Sequence, residues 1–279
     1  MQGKTIVITG ATSGIGQVAA EKLAAMGARI VLVARDKARA DATLGRLRAV
    51  APGLSHAVHF ADLLLMAEVR RVAAEIAAAE PRIDVLINNA GAIFARRQET
   101  AEGLERTFAL NHMSYFVMAA GLRERLAATP NSRIVNVASG AHRRGHLDFA
   151  DLQRKKSYRP FEVYGTTKLC NILFTRELAR RLTGTGVTAN SLHPGFVATR
   201  FGDQSGRLYA LGVRIAKLGA LSVDKGAATT IYLASSWDVA TVSGQYFYKC
   251  APALPSREAQ DDAEAKRLWE ESERISASA

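Results

Sequence analysis

The sequence predicts an α/β protein: a single doubly wound domain spanning residues 1–279, with a parallel sheet of about seven strands and helices on both faces. Three observations carry this. Apolar runs of strand length alternate with helical patterns along the whole chain, as parallel βα units require. The runs are near-continuous in Val and Ile, the mark of strands buried on both faces. A glycine-rich turn closes the first run and opens the first helical pattern, where doubly wound sheets make their first crossover. No stretch has the composition of a linker or a repeat, so 279 residues fit one large domain.

Taken in order, residues 4–9 are a buried strand and 16–26 an Ala/Leu helix ending at Gly27. Residues 29–34 form a second strand, followed by a charged helix over 37–50. A short third strand over 56–60 precedes a helix over 65–79. Residues 84–88 and 133–138 make two more strands, joined by one long helix over about 102–127. A helix over 161–182 and a sixth strand over 187–192 follow. A helix near 224–235, a strand over 245–248 and a terminal helix over 259–275, within a C-terminal segment 257–279, complete the set.

Two stretches interrupt the alternation. Residues 142–159 are polar and follow the fifth strand, while 195–220 follow the sixth and carry Leu208, Leu211, Val213, Ile215 and Leu218. Doubly wound sheets bind ligands outside the carboxyl ends of their strands, where such loops lie. Residues 196–220 are expected to form a lid, with Phe196, Leu208 and Leu211 against a substrate. In the first loop His142 is the candidate substrate contact.

Composition narrows the partners. Apolar residues at 48% supply a substantial core, and 23% charged residues are ordinary for a soluble chain. The net charge of +11 is spread along the sequence, in clusters as short as Arg70-Arg71 and Arg154-Lys155-Lys156, without interleaved stacking aromatics. No nucleic-acid partner is expected. The 205–219 segment holds Arg207, Arg214 and Lys217 among apolar residues, but it is short and interrupted by Gly, so membrane association is not expected. Cys170 and Cys250 cannot make a disulfide framework or a Cys-rich metal site, and a reducing cytoplasm is the simplest compartment. Met1-Gln2-Gly3-Lys4 leads straight into the first strand, which predicts neither a signal peptide nor an N-terminal membrane anchor.

The turn Thr9-Gly10-Ala11-Thr12-Ser13-Gly14-Ile15-Gly16 has the chemistry of a diphosphate site. Glycines permit the tight turn and a close approach of phosphate, and the helix N-terminus offers free N–H groups and a positive dipole end. At the end of the second strand stand Ala34, Arg35 and Asp36. An acidic residue after Val33 would bond the ribose hydroxyls of NAD; Ala34 cannot, and Arg35 can pair with the 2′-phosphate of NADP. Asp36 is read as the cap of the next helix. NADP(H) is therefore expected over NAD(H). Asp62 and Leu63 follow the third strand, where an adenine would lie. Asn88-Asn89-Ala90-Gly91 follows the fourth, beside the phosphates and nicotinamide ribose.

Tyr164-Gly165-Thr166-Thr167-Lys168 supplies the chemistry. Positions four apart share a helix face, so the phenol and ammonium can share a site. A phenol with a pKa of about 10 is a poor acid or base near neutrality. A neighbouring ammonium favours the phenolate and brings that pKa toward the working range.

With these motifs in order, the chain resembles a short-chain dehydrogenase/reductase. The matching residues are the turn from Thr9 to Gly16, Asp62, Asn88-Asn89-Ala90-Gly91, Asn111, Ser139, Tyr164, Lys168 and His193-Pro194-Gly195, and they span nearly the whole chain. Phe108-Ala109-Leu110-Asn111-His112, Val135 to His142, Lys168 to Phe174 and Leu268-Trp269-Glu270 are similar to the retinol dehydrogenase and WW-domain-oxidoreductase-like branch. The resemblance implies a Rossmann-type fold and interconversion of a hydrophobic alcohol with its aldehyde or ketone. Tyr164 would be the acid/base, and Ser139 would bond the same substrate oxygen. Lys168 would hold the nicotinamide ribose and depress the Tyr164 pKa; Asn111 would complete a water-linked proton path. Pro194, Gly195, Val197 and Thr199 would lie beside the nicotinamide and carboxamide. Family analogy also implies a homodimer or homotetramer through the helices carrying Asn111 and Tyr164. The alternative is a dinucleotide-binding sensor or scaffold of the same fold without catalysis.

Overall fold

The computed structural model describes residues 1–196 and 222–278. One eight-stranded sheet organises them, in the order β3-β2-β1-β4-β5-β6-β7-β8. Its members are β1 (Thr5–Thr9), β2 (Arg29–Ala34), β3 (Ala57–Phe60), β4 (Val85–Asn88), β5 (Arg133–Val137), β6 (Thr188–His193), β7 (Tyr246–Tyr248) and β8 (Ala251–Pro252). The first seven are parallel, as expected from their Val/Ile runs; the two-residue β8 returns antiparallel to β7 and escapes sequence patterning by its shortness.

Strand alternation sorts the core into two layers. Ile6, Ile8, Ile30, Leu32, Ile87 and Val135 face α1 (Gly14–Ala25), α2 (Lys37–Val50) and α8 (Val223–Ser235). Val7, Val31, Val33, Leu86 and Ile134 face the other layer, α3 (Met66–Ala79) and the helices that follow. Each such side chain, taken fully out of water, contributes about 1.5–3 kcal/mol. Asp36 caps α2 as predicted, accepting from Arg39 N at 2.9 Å.

The long helix departs from expectation. Its start lies at α4 (Arg106–Phe108), because the buried Glu105 carboxylate accepts from Thr107 N and Phe108 N, both at 2.8 Å. Gly103, at φ +79°, turns the chain before that cap. A π-helical turn over Ala109–Met113 follows, then α5 (Ser114–Gly121) and α6 (Arg123–Ala127). Such π turns are invisible to a 3.6-residue pattern and recur at functional sites. The 142–159 stretch is held by its own polar bonds. Tyr158 donates to Phe94 O at 2.9 Å, and Gln153 accepts from Glu105 N at 2.7 Å.

Helix α7 (Pro160–Arg181) crosses beneath β5 and β6, and α9 (Asp262–Ser278) packs over it. Trp269 of α9 stacks on Phe174 of α7 at 5.8 Å and meets Phe116 at 5.0 Å, while the Arg181 guanidinium lies over its ring. Residues 165–175 of α7 are consequently buried within one chain. The middle of this helix is covered by the chain's own C-terminal helix.

One close approach sets the position of α7. A Cβ on Gly145 would sit 2.5 Å from the carbonyl carbon and oxygen of Gly165, and one on Gly165 would sit 2.7 Å from Ala141 O. The loop after β5 therefore lies directly on the helix backbone between Tyr164 and Lys168. Gly145→Ala is expected to cost about 1–3 kcal/mol through this backbone overlap, lowering the melting temperature in calorimetry; an unchanged melting curve would contradict the packing.

Candidate active site

The strand order reverses between β1 and β4, and the Gly-rich turn lies at that switch point. Thr9 Oγ1 accepts from Asn89 N at 3.0 Å and Ala90 N at 3.1 Å. The Asn89 amide donates in return to Thr9 O at 3.0 Å and Gly10 O at 3.1 Å. Asn89 thus acts from behind the turn, a clamp between two strand ends. A Cβ on Gly10, at φ +67°, would meet Ala90 Cα at 2.7 Å, and one on Gly16 would meet Gly10 O at 2.6 Å and the Asn89 amide. Only glycine fits either position.

On the open side, Thr12, Ser13, Gly14 and Ile15 are half-buried around the start of α1. The Ser13 side chain makes no capping bond and the first turn holds no acidic residue. Its orphan N–H groups and dipole suit a diphosphate. This glycine cradle fits a dinucleotide.

At the adenosine end, Arg35 is exposed and its Nη1 lies 3.9 Å from Asp62 Oδ1. The same Asp62 oxygen accepts from Leu64 N at 3.1 Å. Leu63 turns its side chain into the core. At the nicotinamide end, His193 Nδ1 accepts from Gly195 N at 3.2 Å and its ring stacks on Tyr248 at 4.7 Å. Burial pushes the His193 pKa down to about 4, so it stays neutral and holds the Pro194-Gly195 turn, with Gly195 at φ +87°. Phe196 follows it, 57% exposed. Val197, Thr199, Leu208 and Leu211 lie outside the described residues.

The candidate proton-handling residues lie near the carboxyl end of β5. Ser139 stands two residues beyond β5, half-buried, and its Oγ accepts from Ala141 N at 3.2 Å. This caps the short helix over Gly140–Arg144. Tyr164 is half-buried on α7. Lys168, one turn on, is 3% exposed; its Nζ lies 5.6 Å from the Tyr164 ring centre and donates to Val137 O at 2.9 Å. Burial alone pushes the Lys168 pKa down to about 7. A second phenol, Tyr115, lies 5.5 Å from the same ammonium. Burial raises its pKa well above the usual value, so it stays protonated, and Tyr164 alone is open to a ligand.

Asn111 sits in the π turn, fully buried. Its Oδ1 accepts from Ala92 N at 2.9 Å, and its amide donates to Ala92 O at 2.9 Å and to Thr167 Oγ1 at 3.0 Å. The Thr167 hydroxyl in turn donates a hydrogen bond to the backbone carbonyl of Tyr164 at 2.8 Å. A Cβ on Gly91 would stand 3.2 Å from Asn111 Oδ1 and 3.4 Å from Lys168 Nζ, so both atoms border one small space.

His142 is a correction. It has no exposed surface: Nδ1 lies 2.7 Å from Ser139 O and Nε2 accepts from Ser256 N at 3.0 Å. With Nε2 accepting, Nδ1 carries the proton and donates to Ser139 O. Both nitrogens are committed, so the ring braces Ser139 and is closed to substrate. The residues missed by sequence reasoning are Thr167, Gly145 and Gly165. Gly165 alone left a signal: a glycine inside a helix costs about 1 kcal/mol relative to Ala and asks for a packing reason.

Comparison with known proteins agrees with this geometry. Residues 4–208 match the short chain dehydrogenase family model, and the chain belongs to that family of oxidoreductases. Human retinol dehydrogenase 14 is 41% identical over 290 aligned positions, covering 98% of this chain and 86% of that protein. Among solved structures, an uncharacterized protein from Mycobacterium paratuberculosis is 31% identical with a TM-score of 0.79, covering 99% of this chain and 94% of its own. A short-chain dehydrogenase from Sphingobium yanoikuyae, solved in complex with NADPH, is 30% identical with a TM-score of 0.66 and covers 82% of each chain. The similarity to retinol dehydrogenases identifies an oxidoreductase acting on CH–OH groups. Among the described residues, no helix is long and apolar enough to cross a membrane.

The buried lysine has a consequence for stability. Its folded pKa of about 7 lies below the roughly 10.4 of an unfolded lysine, so the unfolded chain binds more protons between those values. Stability of the ligand-free protein is expected to rise as pH increases from 7 toward 10, on this group's account. Lys168→Met removes the penalty and should raise the melting temperature at pH 7; a lower one would contradict it.

Proposed function

We propose that the protein is an NADP(H)-dependent oxidoreductase that interconverts a hydrophobic alcohol with its aldehyde or ketone, using Tyr164 as acid/base. The observation that carries this reading is the buried Lys168 ammonium 5.6 Å from the half-open Tyr164 ring, a dry site in which a phenolate is favoured. In reduction Tyr164 Oη gives its proton to the substrate oxygen, and in oxidation it takes that proton back. Ser139 Oγ donates to the same oxygen and orients it. Lys168 holds the nicotinamide ribose and replenishes the proton, and Asn111 extends the path through water in the space beside Gly91. NADP(H), when bound, supplies the hydride exchange at the substrate carbon.

The dinucleotide would be held by Gly10, Thr12, Ser13, Gly14, Ile15 and Gly16 at the diphosphate. Asp62 and Leu63 would take the adenine, Asn89, Ala90 and Gly91 the ribose wall, and Pro194, Gly195, Val197 and Thr199 the carboxamide end. Arg35 meets the 2′-phosphate, exchanging its 3.9 Å pairing with Asp62 for a stronger one. The apolar character of Phe196, Leu208 and Leu211, and the likeness to retinol dehydrogenase 14, support a long apolar alcohol as substrate.

A panel of aldehydes and ketones with NADPH and NADH tests the reading. Tyr164→Phe should lower kcat by about 10²–10⁴-fold while NADPH binding, followed by fluorescence, persists; full activity would remove Tyr164 from its role. Arg35→Ala should raise KM for NADPH by about tenfold or more, the loss of one charge-assisted contact, and leave KM for NADH within twofold. Equal effects on both would refute the 2′-phosphate assignment.

A further inference from the structure

At the amino ends of the strands, opposite the Gly-rich turn and Tyr164, the starts of β1, β4 and β5 border a cavity of about 370 Å³ that the proposed reaction does not use. Lys4, Val85 and Arg133 line it from the sheet, and Ala234 and Trp237 from the end of α8. Its rim is apolar: Met1 and Met26 line it too, and Trp237 stands at the surface, 82% exposed. The volume suits a small organic molecule. β5 runs from this cavity to Val137 beside Lys168, so its five residues separate the two sites by about 13 Å.

Arg133 is the group that asks for a ligand. It is 9% exposed, and its Nη1 donates to Leu233 O at 3.0 Å and Ser236 O at 2.7 Å, which caps the C-terminus of α8. A guanidinium carries five N–H bonds, and capping uses only the Nη1 pair. Nε and Nη2 have no acceptor among the described residues, and neither is sealed from solvent. Burial is the one cause acting on the Arg133 pKa, which it pushes down; no carboxylate offsets it. Asp84, which also lines the cavity, is already held by Lys4 Nζ at 3.0 Å, Arg82 Nη2 at 2.7 Å and Thr5 N at 2.9 Å. Two cations outweigh that carboxylate, and Arg133 adds a third positive charge without a counter-ion. A cation so placed gains most from an anion brought to it.

We infer that this cavity is a second ligand site, taking a small amphipathic carboxylate with its head on Nε and Nη2 of Arg133 and its apolar tail against Met1, Met26 and Trp237. The Nε/Nη2 edge of a guanidinium matches a carboxylate as a bidentate pair, and Lys4 adds positive charge from the same wall. Methionines adapt to an irregular tail, and the Trp237 ring offers a broad apolar face at the mouth. Inorganic phosphate or sulfate would meet the guanidinium but leave that apolar rim in water. Head and tail together define the ligand class.

Calorimetric titration with octanoate, in the presence of saturating NADPH to keep the probe out of the dinucleotide cleft, tests this. Octanoate should bind, while octanamide, which lacks the charge, and acetate, which lacks the tail, should bind about tenfold more weakly or not at all. Arg133→Met should weaken octanoate by about tenfold or more, and Trp237→Ala by about threefold or more. Trp237→Ala lies at the surface and carries the test if Arg133→Met does not fold by circular dichroism. Phe196→Ala, at the other end of the sheet, should leave the affinity unchanged. No binding up to about 10 mM octanoate, equal affinity for octanamide, or unchanged affinity in a folded Arg133→Met or in Trp237→Ala overturns the inference. A loss of binding in Phe196→Ala places the probe in the substrate cleft and overturns it as well. None of these outcomes depends on the role of Tyr164.

Discussion

The bond from Lys168 Nζ to Val137 O, at 2.9 Å, is the interaction around which the rest is arranged. An ammonium taken out of water is expensive, and it persists there only with a fixed acceptor. β5 supplies that acceptor because the strand ends at Val137, leaving its carbonyl aimed into the gap between sheet and α7 instead of into a ladder. Everything near it serves the same placement. Gly145 and Gly165 allow loop and helix to touch at backbone distance, Tyr115 fills the apolar side, and α9 seals α7 from outside. The depressed Lys168 pKa is the electrostatic trace of this placement: burial penalises the charged form of a lysine one helical turn from Tyr164.

The cofactor end follows a different logic, one of backbone closeness. Four hydrogen bonds between the Thr9-Gly10 and Asn89-Ala90 segments hold the ends of β1 and β4 together. Glycines at 10 and 16 then let the turn collapse until no side chain fits. The result is a concave surface of N–H groups on the start of α1. Asn89 shows how a motif residue also acts through structure: its amide nitrogen donates to both Thr9 O and Gly10 O and so holds the turn.

Several histidines illustrate the same division. His142, His193 and His112 are each kept neutral by burial, and each has a nitrogen at hydrogen-bonding distance from a neighbour: Ser139 O, Gly195 N and Ser272 Oγ respectively. They brace the ends of β5, β6 and the π turn, where the sequence offered His142 as a candidate substrate contact. Nothing in a linear pattern distinguishes a loop histidine from a buried one when its partners, Ser139 and Ser256, lie on opposite sides of it in the chain.

What the sequence determined by itself was the layered fold and the chemistry. Val/Ile runs such as Ile6-Val7-Ile8 and Ile30-Val31-Leu32 specify buried parallel strands, because only a sheet covered on both faces hides them. The spacing of Tyr164 and Lys168 specifies a shared helix face, because the α-helical repeat is local. Tertiary structure alone decided what depends on distant segments meeting: the β8 return, the π turn that sets Asn111 against Thr167 and His112 against Ser272, and the cover of α9 over α7. The depth of Lys168 belongs to that second group. Burial is a property of what packs around a residue, and its neighbours Val137 and Tyr115 are brought to it only when the sheet and helices close.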